Sequence, residues 1–310
     1  MSATTTTSTR TIVVALLANL GIAVSKFVAA AITGSSAMLT EGVHSVVDST
    51  NQLLLMWGRR AAKRPPDKYH PFGYGRELYF WSFVVAVLVF SLGAGVSVYE
   101  GILHIANPEP AVDPLIAYAV LLVAFLLEGW STLEAFTDFK RSKGRLGWFQ
   151  AVLRSKDPPA FIILLENGAA MAGIIAAAIG LLLAQLTGNP FYDGAASIVI
   201  GVILAFTAML LAYESKSLLI GEAADPVLVR NLRELACDQP GVVGVGDVLT
   251  VHGAPDQITV MMNVDFRDDM LAGEVERIVA RVETVARERW PAVRRLFVRP
   301  MHGAAQLREH

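Results

Sequence analysis

Apolar residues dominate six stretches of the first two-thirds of the chain, at about residues 11–32, 37–57, 78–105, 114–136, 158–186 and 191–213. A helix rises about 1.5 Å per residue, so about 20 apolar residues cross a hydrocarbon core of about 30 Å. Each stretch is therefore predicted to be a membrane-spanning helix. After Gly221 the pattern changes character. Residues 225–237 have helical periodicity, with Pro226 suited to the first turn. Residues 242–251 and 257–266 alternate and are rich in β-branched side chains, which predicts two strands joined through the turn-rich His252-Gly-Ala-Pro-Asp256. A charged helical pattern over 271–289 and a third strand at 294–298 complete an αββαβ order, which suits one sheet with both helices on one face. The expected fold class is an all-α membrane bundle of six helices followed by a small α+β domain. Its expected boundaries are 1–10 for an N-terminal tail, 11–221 for the bundle, 222–302 for the domain and 303–310 for a C-terminal tail. A domain of that size holds a modest core and gains from pairing with another copy.

Composition agrees with a membrane protein. Hydrophobic residues make up 54% of the chain, above the about 45–50% of soluble domains. A formal net charge of −2 gives no sign of a nucleic-acid partner. The single cysteine, Cys237, excludes an intrachain disulfide and fits a reducing compartment. Ahead of the first apolar stretch stands a Ser/Thr-rich segment with Arg10, and that stretch is too long for a signal-peptide core, so it reads as a retained span. Lys and Arg resist translocation, which sets orientation. Arg59, Arg60, Lys63, Arg64, Lys68 and Arg76 lie between spans two and three; Lys140, Arg141, Lys143, Arg145, Arg154 and Lys156 lie between four and five. The connections between spans one and two, three and four (which holds Glu109 and Asp113) and five and six have none. Both termini are expected in the cytoplasm of a multi-pass protein of the cell membrane.

Within the second apolar stretch runs a polar stripe, Glu41, His44, Asp48 and Asn51. His44 and Asp48 lie one helical turn apart on one face. Ionisable groups inside a membrane are costly and usually face a pathway or a site. An imidazole and a carboxylate at this spacing either grip a divalent cation or satisfy each other as a packing pair. His44 is also the natural proton acceptor, because an imidazole titrates near neutral pH and a cation and a proton compete for one lone pair. Elsewhere, Lys26 is expected to pair with a carboxylate. Glu128 either lines a route or bonds between helices, while Glu100 and Glu134 fall near span ends. Asp157 and Asp193 begin helices, where a carboxylate either caps the positive end of the dipole, the first expectation, or binds a metal. Ala169, Gly173 and Ala177 form a small-residue stripe that admits a close neighbour. Trp81, Trp130 and Trp148 suit interfacial or core positions. No phosphate-binding loop, nucleophile elbow or His-Glu-x-x-His is present, so neither ATP-driven pumping nor hydrolysis has a foothold.

The run Gly34-Ser-Ser-Ala-Met-Leu-Thr-Glu-Gly-Val-His44-Ser-Val-Val-Asp48, the segment His70-Pro-Phe-Gly-Tyr-Gly-Arg-Glu77, Asp193 at the start of span six and Glu214-Ser-Lys-Ser-Leu-Leu-Ile-Gly-Glu222 leaving it occur in one order. Over about residues 10 to 300 the chain resembles the cation diffusion facilitator family of metal exporters. The resemblance implies a homodimer, a ferredoxin-like or metallochaperone-like tail, and exchange of a cytoplasmic divalent cation for protons without a prosthetic group. The family's transport site draws on spans two and five, normally a carboxylate or His four residues before an Asp on each. His44 and Asp48 match that pattern. Span five departs from it: Asp157-Pro-Pro-Ala-Phe-Ile-Ile-Leu-Leu-Glu166-Asn167 resembles the branch of a mitochondrial zinc transporter, with Asn167 where that branch has Asp and only Ile162 or Ile163 four residues earlier. One alignment makes Glu166 the ligand; another makes it Asn167. Zn²⁺ is the first expectation, while a ligand set of one nitrogen and several oxygens relaxes the preference toward Mn²⁺ or Fe²⁺. A non-transporting, metal-sensing membrane scaffold is the competing implication. In the tail, His252, His302, Asp256, Asp265, Asp268 and Asp269 are candidates for regulatory metal sites at a dimer interface, or plain solvated side chains.

Overall fold

A computed structural model describes residues 9–108, 114–142 and 158–302. Two compact units emerge, Met1–Arg59 with Phe80–Ser215, and Arg60–Tyr79 with Lys216–His310. The connection with Glu109 and Asp113, the basic residues Lys143, Arg145, Arg154 and Lys156, Trp148 and Asp157 lie outside the described residues.

The first unit is helical. Its helices are α1 (Thr9–Thr33), α2 (Ser36–Ala62), α3 (Glu77–Ala106), α4 (Pro114–Ser142), α5 (Pro158–Thr187) and α6 (Phe191–Ile220). Among the described residues, four segments are long and apolar enough to cross a membrane: Glu77–Ala106, Leu115–Thr137, Ile162–Thr187 and Phe191–Ile220. The chain is therefore a multi-pass membrane protein. The described apolar part of α1, Leu20–Thr33, is shorter. Helix α2 has 27 residues, but its polar stripe and the Arg59–Arg60 pair lower its apolar character. That exception is the first structural sign that α2 serves something other than lipid contact.

Close packing supplies the framework. Helix α4 packs on α5 and α1. Helix α3 widens into a π-helical segment at Val89–Ala94, where Val89, Gly93 and Ala94 are buried; such single-turn bulges often accompany functional sites. Glycines then let α3 and α6 touch backbone to backbone. A Cβ on Gly101 would fall 2.7 Å from the Gly194 carbonyl oxygen, and one on Gly201 would fall 3.1 Å from that of Ala94. Neither position has room for a side chain.

In the second unit, α7 (Pro226–Cys237), β1 (Val242–Ala254), β2 (Gln257–Phe266), α8 (Ala272–Arg289) and β3 (Val293–Met301) follow one another. The sheet order is β1-β2-β3, with β1 antiparallel to β2 and β2 parallel to β3. The parallel pair needs a crossover, and α8 provides it. Asp225 caps α7 by accepting from the Val227 amide at 2.8 Å, and Glu274 reaches back to the Leu271 amide at 3.0 Å to close the start of α8. Leu232, Val260, Met262, Ile278, Val282 and Val293 share one core with neighbours from both helices and all three strands. Strand β1 runs past the expected end at residue 251 to Ala254, leaving only Pro255 and Asp256 as the turn. Pairing of Ala254 with Gln257 and of His252 with Ile258 overrides the turn-rich composition there. Strand β3 also begins one residue earlier and ends three residues later than the pattern predicts.

The segment between α2 and α3 folds with this unit. Arg295 donates to the Pro71 carbonyl at 2.6 Å and lies 4.7 Å over the Phe72 ring. Gly75 sits so close to the Gly253 carbonyl that any side chain would collide with it. Asp67 holds the segment together, accepting from the amides of Tyr69 and His70 and from the Tyr74 hydroxyl at 2.7 to 2.8 Å. The His70-Pro-Phe-Gly-Tyr-Gly signature is thus a folded knuckle rather than an extended linker.

Candidate metal site in the helical unit

Helix periodicity places Glu41, His44, Ser45, Asp48 and Asn51 along one side of α2, and burial confirms which side: Glu41, His44 and Asn51 are at most 1% exposed. His44 Nε2 stands 3.5 Å from Asp48 Oδ2. Neither ring nitrogen of His44, nor Asp48 Oδ1, has a hydrogen-bond partner. Buried polar atoms normally find one, and leaving them without costs about 1–3 kcal/mol each. From α5, Glu166 accepts a 2.7 Å bond from Asn51 Nδ2 while Asn51 Oδ1 stays unpartnered. The Asp48 and Glu166 carboxylates are near enough to repel one another. The structure therefore gathers His44, Asp48, Asn51 and Glu166. It does not bring Asn167 to them: that amide donates to Ser131 of α4 at 3.1 Å. Among the described residues, no three His, Cys, Asp or Glu side chains stand close enough to enclose an ion in this conformation. The donors are held as two pairs, His44 with Asp48 and Asn51 with Glu166.

A second polar knot adjoins the first. Lys26 of α1 is wholly buried and its ammonium meets Glu41 Oε2 at 2.9 Å, Ser45 Oγ at 2.9 Å and Glu128 Oε1 of α4 at 3.0 Å. All three Lys donors are used. Glu41 and Glu128 each keep one oxygen without a partner. The predicted Lys26 pairing is realised, with two carboxylates rather than one. Glu128 bonds between helices, as one of its two readings held. Gly173, read as part of a packing stripe, has a more specific duty, because a side chain there would collide with Glu41 Oε1.

Asp193 is a cap, though not for its own helix. It accepts from Ser35 Oγ at 2.7 Å, the Ser36 amide at 2.7 Å and Ser36 Oγ at 3.1 Å, so it satisfies the N-terminal donors of α2. The candidate metal ligands of the second unit are dispersed. His252 is buried within β1, its Nδ1 3.3 Å from the Ala254 carbonyl. His302 faces Asp268 at 3.6 Å in solvent, Asp269 binds Arg267, and Asp256 lies 3.7 Å from Arg294. Asp265 is buried in β2. No metal-holding group of three or more forms among these described residues.

A multi-pass helical unit whose interior carries imidazole, carboxylate and ammonium groups has the mark of membrane proteins with an ion or proton pathway. A family model described as the cation efflux transmembrane domain matches residues 12–220, and the chain belongs to the cation diffusion facilitator family. It is 35% identical over 244 residues to a mitochondrial proton-coupled zinc antiporter of Xenopus laevis, covering 78% of this chain and 44% of that protein. It is 31% identical over 278 residues to metal tolerance protein C4 of Arabidopsis thaliana, covering 89% of this chain and 61% of the relative. With the cation-efflux pump FieF of Yersinia pestis it shares 26% over 260 residues, 84% of this chain and 81% of the pump. The chain thus spans less than half of the frog antiporter. The frog and Yersinia relatives are named as an antiporter and a cation-efflux pump, not as enzymes.

Proposed function

We propose that the protein is a secondary antiporter that exports a divalent cation, Zn²⁺ first among candidates, in exchange for protons, and that His44, Asp48 and Glu166 hold the ion in transit. The observation that carries this reading is the buried donor set on α2 and α5: two ring nitrogens and a carboxylate oxygen without hydrogen bonds, one short step from a second carboxylate. Such donors are costly to leave bare and are repaid when a cation draws the two pairs together. Asn51 holds Glu166 beside the pair, and the bond of Asn167 to Ser131 favours Glu166 over Asn167 as the α5 ligand. One nitrogen and two carboxylates suit Zn²⁺, and the oxygen content extends the reading to Mn²⁺ or Fe²⁺.

The same reading includes six membrane crossings, with α1 and α2 joining the four apolar spans, residues 11–221 as the membrane domain and 222–302 as a cytoplasmic αββαβ domain. The Lys/Arg-rich connections support a topology with both termini in the cytoplasm and the protein in the cell membrane. The working form is a homodimer. In proteoliposomes containing the full chain, Zn²⁺ uptake should depend on a pH gradient and vanish in His44→Ala and in Asp48→Ala. Uptake untouched by either substitution removes this site from the mechanism.

A further inference from the structure

The end of α2 away from its Arg59–Arg60 pair borders a cavity of about 540 Å³ between α1, α2 and α3. Phe27, Ala30, Ala31 and Leu39 give it apolar walls, while Glu100 and His104 enter from α3. Those two residues are four apart and share a helix face, the spacing already met in His44 and Asp48. Glu100 has no described hydrogen-bond or ion-pair partner. His104 is 11% exposed, and its Nε2 lies 3.7 Å from Asp193 Oδ2. Metal-binding imidazoles commonly turn their second nitrogen toward a carboxylate that fixes the ring, and here that leaves Nδ1 as the donor. No Lys or Arg lines the cavity, so its fixed charge is negative and attracts cations.

The cavity also approaches the candidate transport site. Phe27 lines it and packs against α2 at Gly42, where a Cβ would lie 3.1 Å from the ring. Gly42 is two residues before His44. On α2 itself the lining residue Leu39 lies five positions before His44, about 7.5 Å along the helix axis. Two protein donors completed by water hold a divalent cation more weakly than three protein ligands do, which suits a station for release.

Building on the antiport reading above, we infer that Glu100 and His104 form a second, weaker divalent-cation site through which the ion leaves the helical unit, with Asp193 as the positioning residue for the imidazole. Titrating the full chain with Zn²⁺ alone should reveal a tight and a weak class of binding. Glu100→Gln/His104→Asn should lose the weak class, keep the tight one, and slow transport at saturating Zn²⁺. A single class in the unaltered chain, or a weak class that survives the double substitution, overturns the inference. If the double variant fails to fold, Zn²⁺ protection of His104 from diethylpyrocarbonate in the unaltered chain decides instead, and absence of protection overturns it. The two readings fail separately. His44→Ala should remove only the tight class, and a tight class that persisted there would sink the antiport site without touching the weak one.

Discussion

Helices α2 and α8 bury stripes of the same period and opposite chemistry. In α8 the buried positions are Ile278, Val282 and Ala286, spaced four apart and packed on a three-stranded sheet. In α2 the buried positions include Glu41, His44, Ser45 and Asn51. Apolar burial stabilises by roughly 25 cal/mol per Å², so α8 explains itself as a core helix. Burial of α2's stripe runs against stability unless each group is paired. Lys26 is the counter-charge for Glu41 and Glu128, each of which keeps one bare oxygen, whereas His44 and Asp48 keep bare atoms and no lysine or arginine contacts them among the described residues. Within one chain, the difference separates charge that is ion-paired in place from donors held ready for a cation.

The largest effect expected on stability comes from breaking the ion-paired part. Lys26→Met strands two buried carboxylates and should cost about 3–5 kcal/mol, seen as a lower melting temperature in detergent. Adding Glu41→Gln and Glu128→Gln to it should recover most of the loss. No recovery would show that Lys26 acts by packing rather than charge.

Next comes the apolar stripe's own core. Leu232 is fully buried, so Leu232→Ala should destabilise the second unit by about 2–5 kcal/mol while Zn²⁺ affinity at the helical site stays unchanged. A matching loss of affinity would mean that the two regions are not energetically separable.

The smallest effect concerns the Asp67 knuckle. The Tyr74 hydroxyl, then the His70 amide, hold the Asp67 carboxyl below its usual range, and the same bond raises the Tyr74 phenol. A carboxyl depressed in the fold stabilises above its unfolded value and loses that contribution as pH falls through the folded one. A phenol raised in the fold contributes below its unfolded value and stops contributing as pH rises through the folded one. Protection of residues 63–76 from proteolysis should therefore be level across neutral pH and weaken only at the two extremes. Tyr74→Phe should move the Asp67 titration, followed by NMR, back toward the ordinary carboxylate value. An unchanged titration would refute the bond.

Legibility in the sequence tracked locality. The α2 stripe was visible because its polar residues recur at helical spacing, and the αββαβ order because each element carries its own period and caps. Partners across helices were not visible. Lys26 and Glu128 are 102 positions apart and Asn51 and Glu166 are 115, and nothing local marks which carboxylate meets which donor. Asp193 had the residue type of a cap, but only the packing of α6 against α2 shows whose amides it satisfies. The π-helical segment in α3 left no pattern, since one extra residue in a uniformly apolar run disturbs no period. The sequence pattern ends β1 at residue 251 because Gly253, Ala254 and Pro255 suggest a turn, while cross-strand pairing and the close approach of Gly75 decide the local conformation.

The central claim is that α2 and α5 hold one cation jointly, and a double-mutant cycle on Zn²⁺ affinity tests it most directly. Asp48→Asn and Glu166→Gln are combined, with Asn167→Ala as the control. The account predicts that the two acidic substitutions are coupled, the pair costing less than the sum of the singles by at least about 1 kcal/mol, and that Asn167→Ala leaves the affinity unchanged. Strict additivity of Asp48→Asn and Glu166→Gln, or a loss of binding in Asn167→Ala equal to theirs, would contradict it.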